Sequence, residues 1–229
     1  MTKMNMTSLL VAATLFGAAL PASASNIVNN GDFQTGNLTG WSTFTYSAVG
    51  GTSPTIGTQW GEGTVVSFDT TGSGASNAAV FNVGQTAGAC CSDAGGGIQQ
   101  TFSVSTAGNY SFYMDIASVN DASGQLNGDP GTFNILVDGQ TLAKKVVFGF
   151  DNAFEVIRSS VQGTVGLATG SHVLQIEITR NAYAANTSTP LEYVDNVSAT
   201  LTGTPEPGSM MLLLGALGSM AVQRVRRRS

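Results

Sequence analysis

The sequence predicts an all-β protein built as an antiparallel β-sandwich. Short runs of alternating apolar and polar residues recur between turn-forming residues, which is the pattern of half-buried strands. No stretch between residues 25 and 204 shows a competing helical period. Strands without intervening helices favour an antiparallel sandwich. We expect helices only at the two ends, as an N-terminal signal helix and a short C-terminal membrane helix.

The first 24 residues have the three parts of a secretory signal peptide. Lys3 precedes an apolar segment from Leu9 to Leu20, and an A-x-A site follows at residues 22–24. The apolar segment is shorter than a membrane helix requires. We therefore expect cleavage after Ala24, which leaves residues 25–203 as one domain with a sizeable core.

The exported region opens with a loop in which turn formers alternate with single large apolar residues. This pattern predicts a loop pinned to the core at Phe33, Leu38 and Trp41. The run from Asn30-Gly31-Asp32-Phe33-Gln34 to Trp41 resembles the opening of carbohydrate-binding modules of the family 4 and 9 type, although Gln34 stands where Glu is usual. Asp195-Asn196-Val197 resembles the last strand of the same fold. The resemblance spans roughly 27–201 and implies a galactose-binding-like jelly roll that binds carbohydrate.

Nine strands are predicted between these ends. Within Ile98–Val104, the polar residues Gln99, Thr101 and Ser103 share one face, and alternate residues from Tyr110 to Ile116 share a face of the next strand. Asp138-Gly139 predicts a hairpin turn. The predicted strands are Phe44–Ala48, Thr64–Asp69, Ala78–Val83, Ile98–Val104, Tyr110–Val119, Thr132–Val137, Phe154–Val161, Val173–Thr179 and Tyr193–Leu201.

The charge of the predicted domain argues against nucleic acid as a partner. Residues 25–204 hold thirteen acidic and four basic side chains, a net charge near −9. A domain of this charge is repelled by a phosphate backbone. The positive charge of the chain is concentrated in the C-terminal tail.

Two aromatic residues in predicted loops are candidates for ligand binding. Trp60 is flanked by glycines, and Tyr183 lies between Asn181 and Asn186. Sugar recognition uses exposed aromatic faces beside amides or carboxylates. Exposed aromatic residues also occur singly without a binding role.

Asp195 and Asp32 are the candidate ligands of a structural Ca²⁺. In related jelly rolls this region holds calcium between an acidic side chain and backbone carbonyls, and hard oxygen ligands suit that ion. The resemblance therefore implies a site that joins the N-terminal loop to the last strand. The alternative is that Asp195 only caps a turn.

Cys90 and Cys91 are the only cysteines, and they are adjacent in a stretch from Gly88 to Gly97 that its glycines predict to be a loop. Neighbouring Cα atoms lie within the range of a disulfide, and an oxidising compartment permits a strained vicinal bridge. Free or intermolecular thiols and a metal or catalytic role are the alternatives. One histidine and two adjacent cysteines exclude a four-ligand zinc site.

The sequence contains no strong signature of catalysis. His172 is the only histidine, and no nucleophile elbow lies near any serine. Most carboxylates, such as Asp121, Asp129 and Asp151, lie beside turn-forming residues, where capping explains them. A glycosidase would need two opposed carboxylates across a cleft. We therefore expect a protein that is not an enzyme.

The tail from Thr204 to Ser229 has three parts. Pro205-Glu206-Pro207 is extended and rigid because each proline fixes φ. An apolar run from Met210 to Val222 follows, which is roughly 20 Å long as a helix, and four arginines lie in the last six residues. This order resembles a PEP-CTERM sorting tail, which has also been labelled the C-terminal domain of ice-binding proteins. The resemblance implies processing by an exosortase-type enzyme, transient residence in the inner membrane, and release to the cell surface or matrix.

The sequence as a whole predicts a non-enzymatic exported protein associated with extracellular polysaccharide. An enzyme acting on polysaccharide is one alternative, and an ice-binding protein is another. An ice-binding face needs a flat repeated array such as Thr-x-Thr on successive strands, and the sequence shows no such repeat.

Overall fold

Two antiparallel sheets of five strands each make up the fold, which confirms the predicted jelly-roll β-sandwich. The computed structural model describes residues 25–47, 65–83, 93–120, 129–181 and 190–202. These ranges contain strands, turns and bends but no helix, and hence none long and apolar enough to cross a membrane. The predicted signal helix and membrane helix lie outside the described residues.

Nine of the ten strands were predicted from the sequence, and six of them are longer than predicted. The strand that the sequence did not reveal is β7, which follows the Asp138-Gly139 hairpin turn. The strands are β1 Ser42–Ser47, β2 Val65–Phe68, β3 Ser76–Phe81, β4 Asp93–Val104, β5 Gly108–Val119, β6 Thr132–Val137, β7 Gln140–Val146, β8 Val156–Leu167, β9 Gly170–Asn181 and β10 Leu191–Thr202.

The strands divide between a front sheet and a back sheet. The front sheet has the order β1-β4-β9-β6-β7, and the back sheet has the order β2-β3-β10-β5-β8. Between the sheets lies the main core, and β4, β5, β6, β9 and β10 each direct alternate apolar residues into it. The face predicted for Tyr110–Ile116 is buried there, while Thr101 and Ser103 are exposed on the outer side of β4.

The glycine-rich start of β4 differs from the expectation that Gly88–Gly97 forms a loop. Asp93–Gly97 is a strand that pairs with β1 on one side and β9 on the other. A Cβ added at Gly95 would lie 2.0 Å from the carbonyl oxygen of Ile178, and one at Gly97 would lie 1.8 Å from that of Ile176. Glycine is therefore needed because β4 approaches the backbone of β9 so closely.

One end of the sandwich, here called the loop end, collects most of the long connections. β1, β3, β5 and β9 finish there, and β2, β4, β6 and β10 begin there. The described strand ends that flank segments 48–64, 84–92, 121–128 and 182–189 all lie at this end. The connection from β7 to β8, residues 147–155, is also at the loop end.

Candidate functional site

The outer surface of the front sheet carries a row of paired polar side chains, here called the polar face (Gln99, Asn134, Lys144, Gln175 and Glu177). Gln99 lies opposite Gln175 in the β4–β9 register, and Nε2 of Gln175 donates to Oε1 of Gln99 at 3.0 Å. Asn134 lies opposite both Glu177 and Lys144. The polar face therefore carries amide, carboxylate and ammonium groups on four neighbouring strands, and of these side chains Asn134 is buried, with 8% of its surface exposed.

Glu177 is the acidic member of the polar face, and it is half-buried. Burial raises the pKa of its carboxyl group, and a hydrogen bond from Asn134 Nδ2 to Oε1 at 3.3 Å opposes that shift. Such a paired carboxylate and amide can accept from and donate to neighbouring hydroxyl groups of one ligand.

The N-terminal loop is organised by Asn30, whose role the sequence did not reveal. The side-chain nitrogen of Asn30 donates to the carbonyls of Asn37 and Thr39 at 2.9 and 3.0 Å. Its own carbonyl accepts from the indole nitrogen of Trp41 at 3.1 Å. Phe33 and Trp41 are buried in the core and Leu38 packs against it, as predicted. The Asn-Gly-Asp-Phe motif thus begins a loop whose two ends are joined by the hydrogen bonds of Asn30.

The N-terminal loop docks against a bulge in β10. The register of β10 against β5 shifts between Asp195 and Ser198, and Asn196 takes a left-handed conformation there, with φ of 52°. The amide of Val197 donates to the carbonyl of Gly31 at 2.8 Å. Next to this bulge is a cavity of about 550 Å³, whose lining includes Asn30, Gly31, Asp32, Tyr113, Asp115 and Asn196.

Asp195 lies within β10 just before this bulge, with 1% of its surface exposed. Its carboxylate accepts from the hydroxyl of Ser76 and from the amide of Asn196. Burial raises the pKa of Asp195, and the charges of Asp115 and Asp32 add to the rise. Two neighbouring carboxylates thus act on the buried carboxyl group of Asp195. A cation bound beside Asp195 would offset this effect.

These groups fit calcium in their chemistry, because carboxylate, amide and backbone oxygens surround the bulge. Within the described ranges, however, no three His, Cys, Asp or Glu side chains converge as a ready metal site. Calcium at Asp195 and Asp32 therefore remains a prediction. In such a site Asp195 and Asp32 would supply charge, and Asn196 or the loop carbonyls would supply neutral ligands.

If calcium binds there, adding a chelator to the purified chain should lower its melting temperature, and excess calcium should restore it. Ligand at a hundred times its Kd stabilises the folded state by about 2.7 kcal/mol. Asp32→Asn should remove this response, and so should Asp195→Ala if that variant folds. Asp151→Asn, in an exposed turn, should retain it. A wild-type melting temperature that ignores both chelator and calcium would show that the site does not bind calcium.

Both ring nitrogens of His172 are hydrogen-bonded within the fold. One ring nitrogen, Nδ1, lies 2.7 Å from Oδ2 of Asp138, and Nε2 lies 3.0 Å from the carbonyl of Ala168. The hydrogen bond with Asp138 is the largest cause that raises the pKa of His172. Asp138 also accepts from the amide of Val173 at 2.9 Å. Both side chains therefore hold the β6–β7 hairpin against β9.

Glu192 is a buried carboxyl group that the sequence analysis did not single out. It lies on β10 in phase with the core residue Val194, fully buried, and Oε1 has no hydrogen-bond partner. Burial raises its pKa to about 8, the charge of Arg180 opposes the shift, and that of Asp129 adds to it. Arg180 is also buried, and its Nη1 donates to the carbonyl of Val83 at 3.2 Å. The burial of Glu192 could have been predicted from the sequence, because Glu192 is two residues from Val194 on the same strand and so shares its face.

Several predicted site residues lie outside the described ranges. They are the ligand candidates Trp60 and Tyr183, the cysteines Cys90 and Cys91, and the sorting motif Pro205, Glu206 and Pro207. The roles assigned to all of these residues remain predictions.

Comparison with known proteins found no family whose sequence profile matches this chain and no match among curated proteins. Among solved structures, TmCBM61 in complex with β-1,4-galactotriose is similar, with 11% identity over 78% of this chain and 99% of that chain and a TM-score of 0.46. A Stig cyclase from Fischerella sp. TAU has 15% identity over 80% of this chain and 100% of that chain, with a TM-score of 0.42. The CBM22-1 and GH10 modules of a Clostridium thermocellum endo-1,4-β-D-xylanase, complexed with xylohexaose, have 14% identity over 80% of this chain and 30% of that chain, with a TM-score of 0.40. These similarities extend to binding modules and enzymes alike, so they do not distinguish between functions.

Proposed function

We propose that this chain is an exported, non-enzymatic protein that binds extracellular polysaccharide on the polar face of its sandwich. The observation that carries the proposal is the cross-strand pairing of Gln99 with Gln175 and of Asn134 with Glu177. Paired amides and a carboxylate on a rigid sheet are pre-organised, so little freedom is lost when they bind hydroxyl groups. Trp60 and Tyr183, predicted from the sequence as ligand residues, would add aromatic contacts.

This binding is tested with the full chain in detergent against immobilised polysaccharides. Gln175→Ala should weaken binding at least tenfold, because it removes one amide and leaves Gln99 without its partner. Gln162→Ala is the matched control, since Gln162 is an exposed glutamine on β8 of the back sheet. Equal affinity for wild type and Gln175→Ala would contradict the proposal. Release of shorter sugars during the assay would support the alternative of a polysaccharide-acting enzyme.

We also propose that the tail is a removable sorting signal read by an exosortase-type enzyme. The order of Pro205-Glu206-Pro207, a short apolar run and an arginine-rich end supports this reading. Positive charge would hold the C-terminus on the cytoplasmic side while the rigid motif is presented to the enzyme. The mature protein would then leave the inner membrane for the cell surface or matrix.

Mass spectrometry of the surface material tests the sorting proposal. We expect the mature protein to lack the four arginines of the tail. Changing Pro205 and Pro207 to Ala should leave the unprocessed chain in the inner-membrane fraction. Surface protein that still ends in Arg226-Arg227-Arg228-Ser229 would show that the tail is a permanent anchor.

A further inference from the structure

Three of the four edge strands in the described sheets carry features that discourage pairing with another chain. β1 and β2 have only six and four residues. β7 has seven residues, a bulge in its register and two lysines, Lys144 and Lys145. Short strands, bulges and lysines are means by which proteins keep sheet edges from pairing. The fourth edge strand is β8.

β8 has none of these protective features. It is twelve residues long and pairs with β5 over its whole length without a shift of register. It contains neither lysine nor proline, and Arg158 is its only charged residue. No described strand pairs with its other side. Every second residue of β8 therefore directs its backbone amide and carbonyl away from β5, toward the edge of the sheet.

β7 covers the inner surface of β8 without pairing with it. A Cβ added at Gly163 would lie 2.8 Å from Cγ of Leu142 and 3.1 Å from Cβ of Ala143. Gly163 is two residues from the buried Val161, so these side chains of β7 lie on the core side of β8. β7 belongs to the front sheet. Among the described residues, the edge of the back sheet is thus open at β8.

We propose that β8 pairs antiparallel with β8 of a second copy of this chain, about a two-fold axis at Val161. In this register Val161 lies opposite its own copy, and Ile157 lies opposite Val165 of the second copy. All three side chains pack on the core side of the sheet. Ile157 and Val165 are only partly buried in one copy, so pairing removes more of their apolar surface from water.

The charges on β8 permit this pairing although the domain as a whole is acidic. Arg158 is paired within its own copy, with 3.5 Å between its Nη2 and Oδ2 of Asp69. In the dimer Arg158 lies opposite Thr164 of the second copy, so the two Arg158 residues are about 20 Å apart along the strands. This separation exceeds the Debye length of about 8 Å at physiological salt. Two copies therefore meet along β8 without a contact between like charges.

The symmetry of the pairing limits the assembly to two copies. Both copies use the same strand, and such a self-complementary contact leaves no second β8 edge for a third copy. The other edge of the back sheet is β2, which has only four residues. The pairing does not depend on the proposed function.

Sedimentation equilibrium of the full chain in detergent measures the association. We expect a monomer–dimer equilibrium that added salt shifts toward the dimer, because salt screens the repulsion between two acidic domains. Alternate amides of β8 should become protected from hydrogen exchange as the protein concentration rises. A wild type that remains monomeric, or that dimerises without protecting β8, overturns the inference.

Substitution of the exposed Thr164 tests the register. Thr164→Lys places a lysine opposite Arg158 of the second copy, twice in each dimer, and should raise the Kd of the dimer about fivefold. Thr164→Glu should lower that Kd. Repulsion through net charge alone predicts the reverse order, because glutamate adds to a charge near −9 and lysine reduces it.

Thr101→Lys is the matched control, because Thr101 is an exposed threonine on β4, within the front sheet. It should dimerise at least as tightly as wild type, and circular dichroism establishes that each variant is folded. If Thr164→Lys dimerises as tightly as Thr164→Glu, or if Thr101→Lys weakens the dimer as much as Thr164→Lys does, the proposed pairing is wrong. None of these outcomes involves polysaccharide, so the proposed function is tested separately by Gln175→Ala.

Discussion

Replacing Gly31 with alanine is expected to lower the free energy of unfolding by about 3 kcal/mol, since overpacking against backbone cannot be relieved by a side-chain rotation. A Cβ at this position would lie 2.0 Å from the carbonyl oxygen of Val197 and 3.1 Å from Cγ1 of Val28. The loop would have to move away from β10, which would also lengthen the hydrogen bond from Val197 to Gly31. The loss should appear in urea-induced unfolding followed by tryptophan fluorescence.

Gly166→Ala is the matched control for this prediction. A Cβ there would meet only the side-chain oxygen of Asn109 at 3.4 Å, and that side chain is exposed and able to turn aside. We expect a change within about 0.5 kcal/mol for this substitution. If Gly31→Ala is as stable as Gly166→Ala, the N-terminal loop does not dock on β10 as described.

The second large effect is a loss of stability with rising pH that depends on Glu192. Its pKa is raised from 4.5 to about 8 in the folded state, so the folded protein keeps a proton that the unfolded chain releases. The stabilisation is fully present below pH 4.5 and is lost progressively as pH rises to about 8. A shift of this size corresponds to a ceiling of about 5 kcal/mol.

Glu192→Gln isolates this contribution from those of the other titrating groups. The variant keeps the shape of the side chain and has no proton to lose, so its unfolding free energy should decline less between pH 5 and pH 9. Carbon-13 NMR of the Glu192 carboxyl group gives an independent reading of its pKa. Parallel pH profiles for the two proteins, or an ordinary carboxyl pKa, would show that Glu192 is ionised in the fold at neutral pH.

Most of the fold could be predicted because its strands alternate clearly. β7 was not predicted because a bulge opposite Ile135 and Leu136 breaks its alternation of apolar and polar residues. Lys144 and Lys145 are also unusual in a strand. Lysines are nevertheless common on edge strands, where they discourage pairing with other chains. The start of β4 was not predicted because a run of glycines indicates a loop. Only the structure reveals that a neighbouring strand lies so close that glycine is required.

The candidate site was less predictable than the fold, because it depends on strand order. The outward direction of Gln99 follows from alternation within β4, but its pairing with Gln175 requires β4 and β9 to be neighbours. No local pattern in the sequence specifies that order.

The position of β10 has a consequence for how the protein acquires its structure. β10 is the central strand of the back sheet, between β3 and β5, and the amide of Ile27 near the start of the domain donates to the carbonyl of Ala199 within it. Contacts between such distant parts of a chain make folding slow. A chain that crosses a membrane N-terminus first therefore cannot complete the back sheet until residues 191–202 have emerged. Under the proposed export, closure of the fold would therefore wait until translocation of the domain is nearly finished.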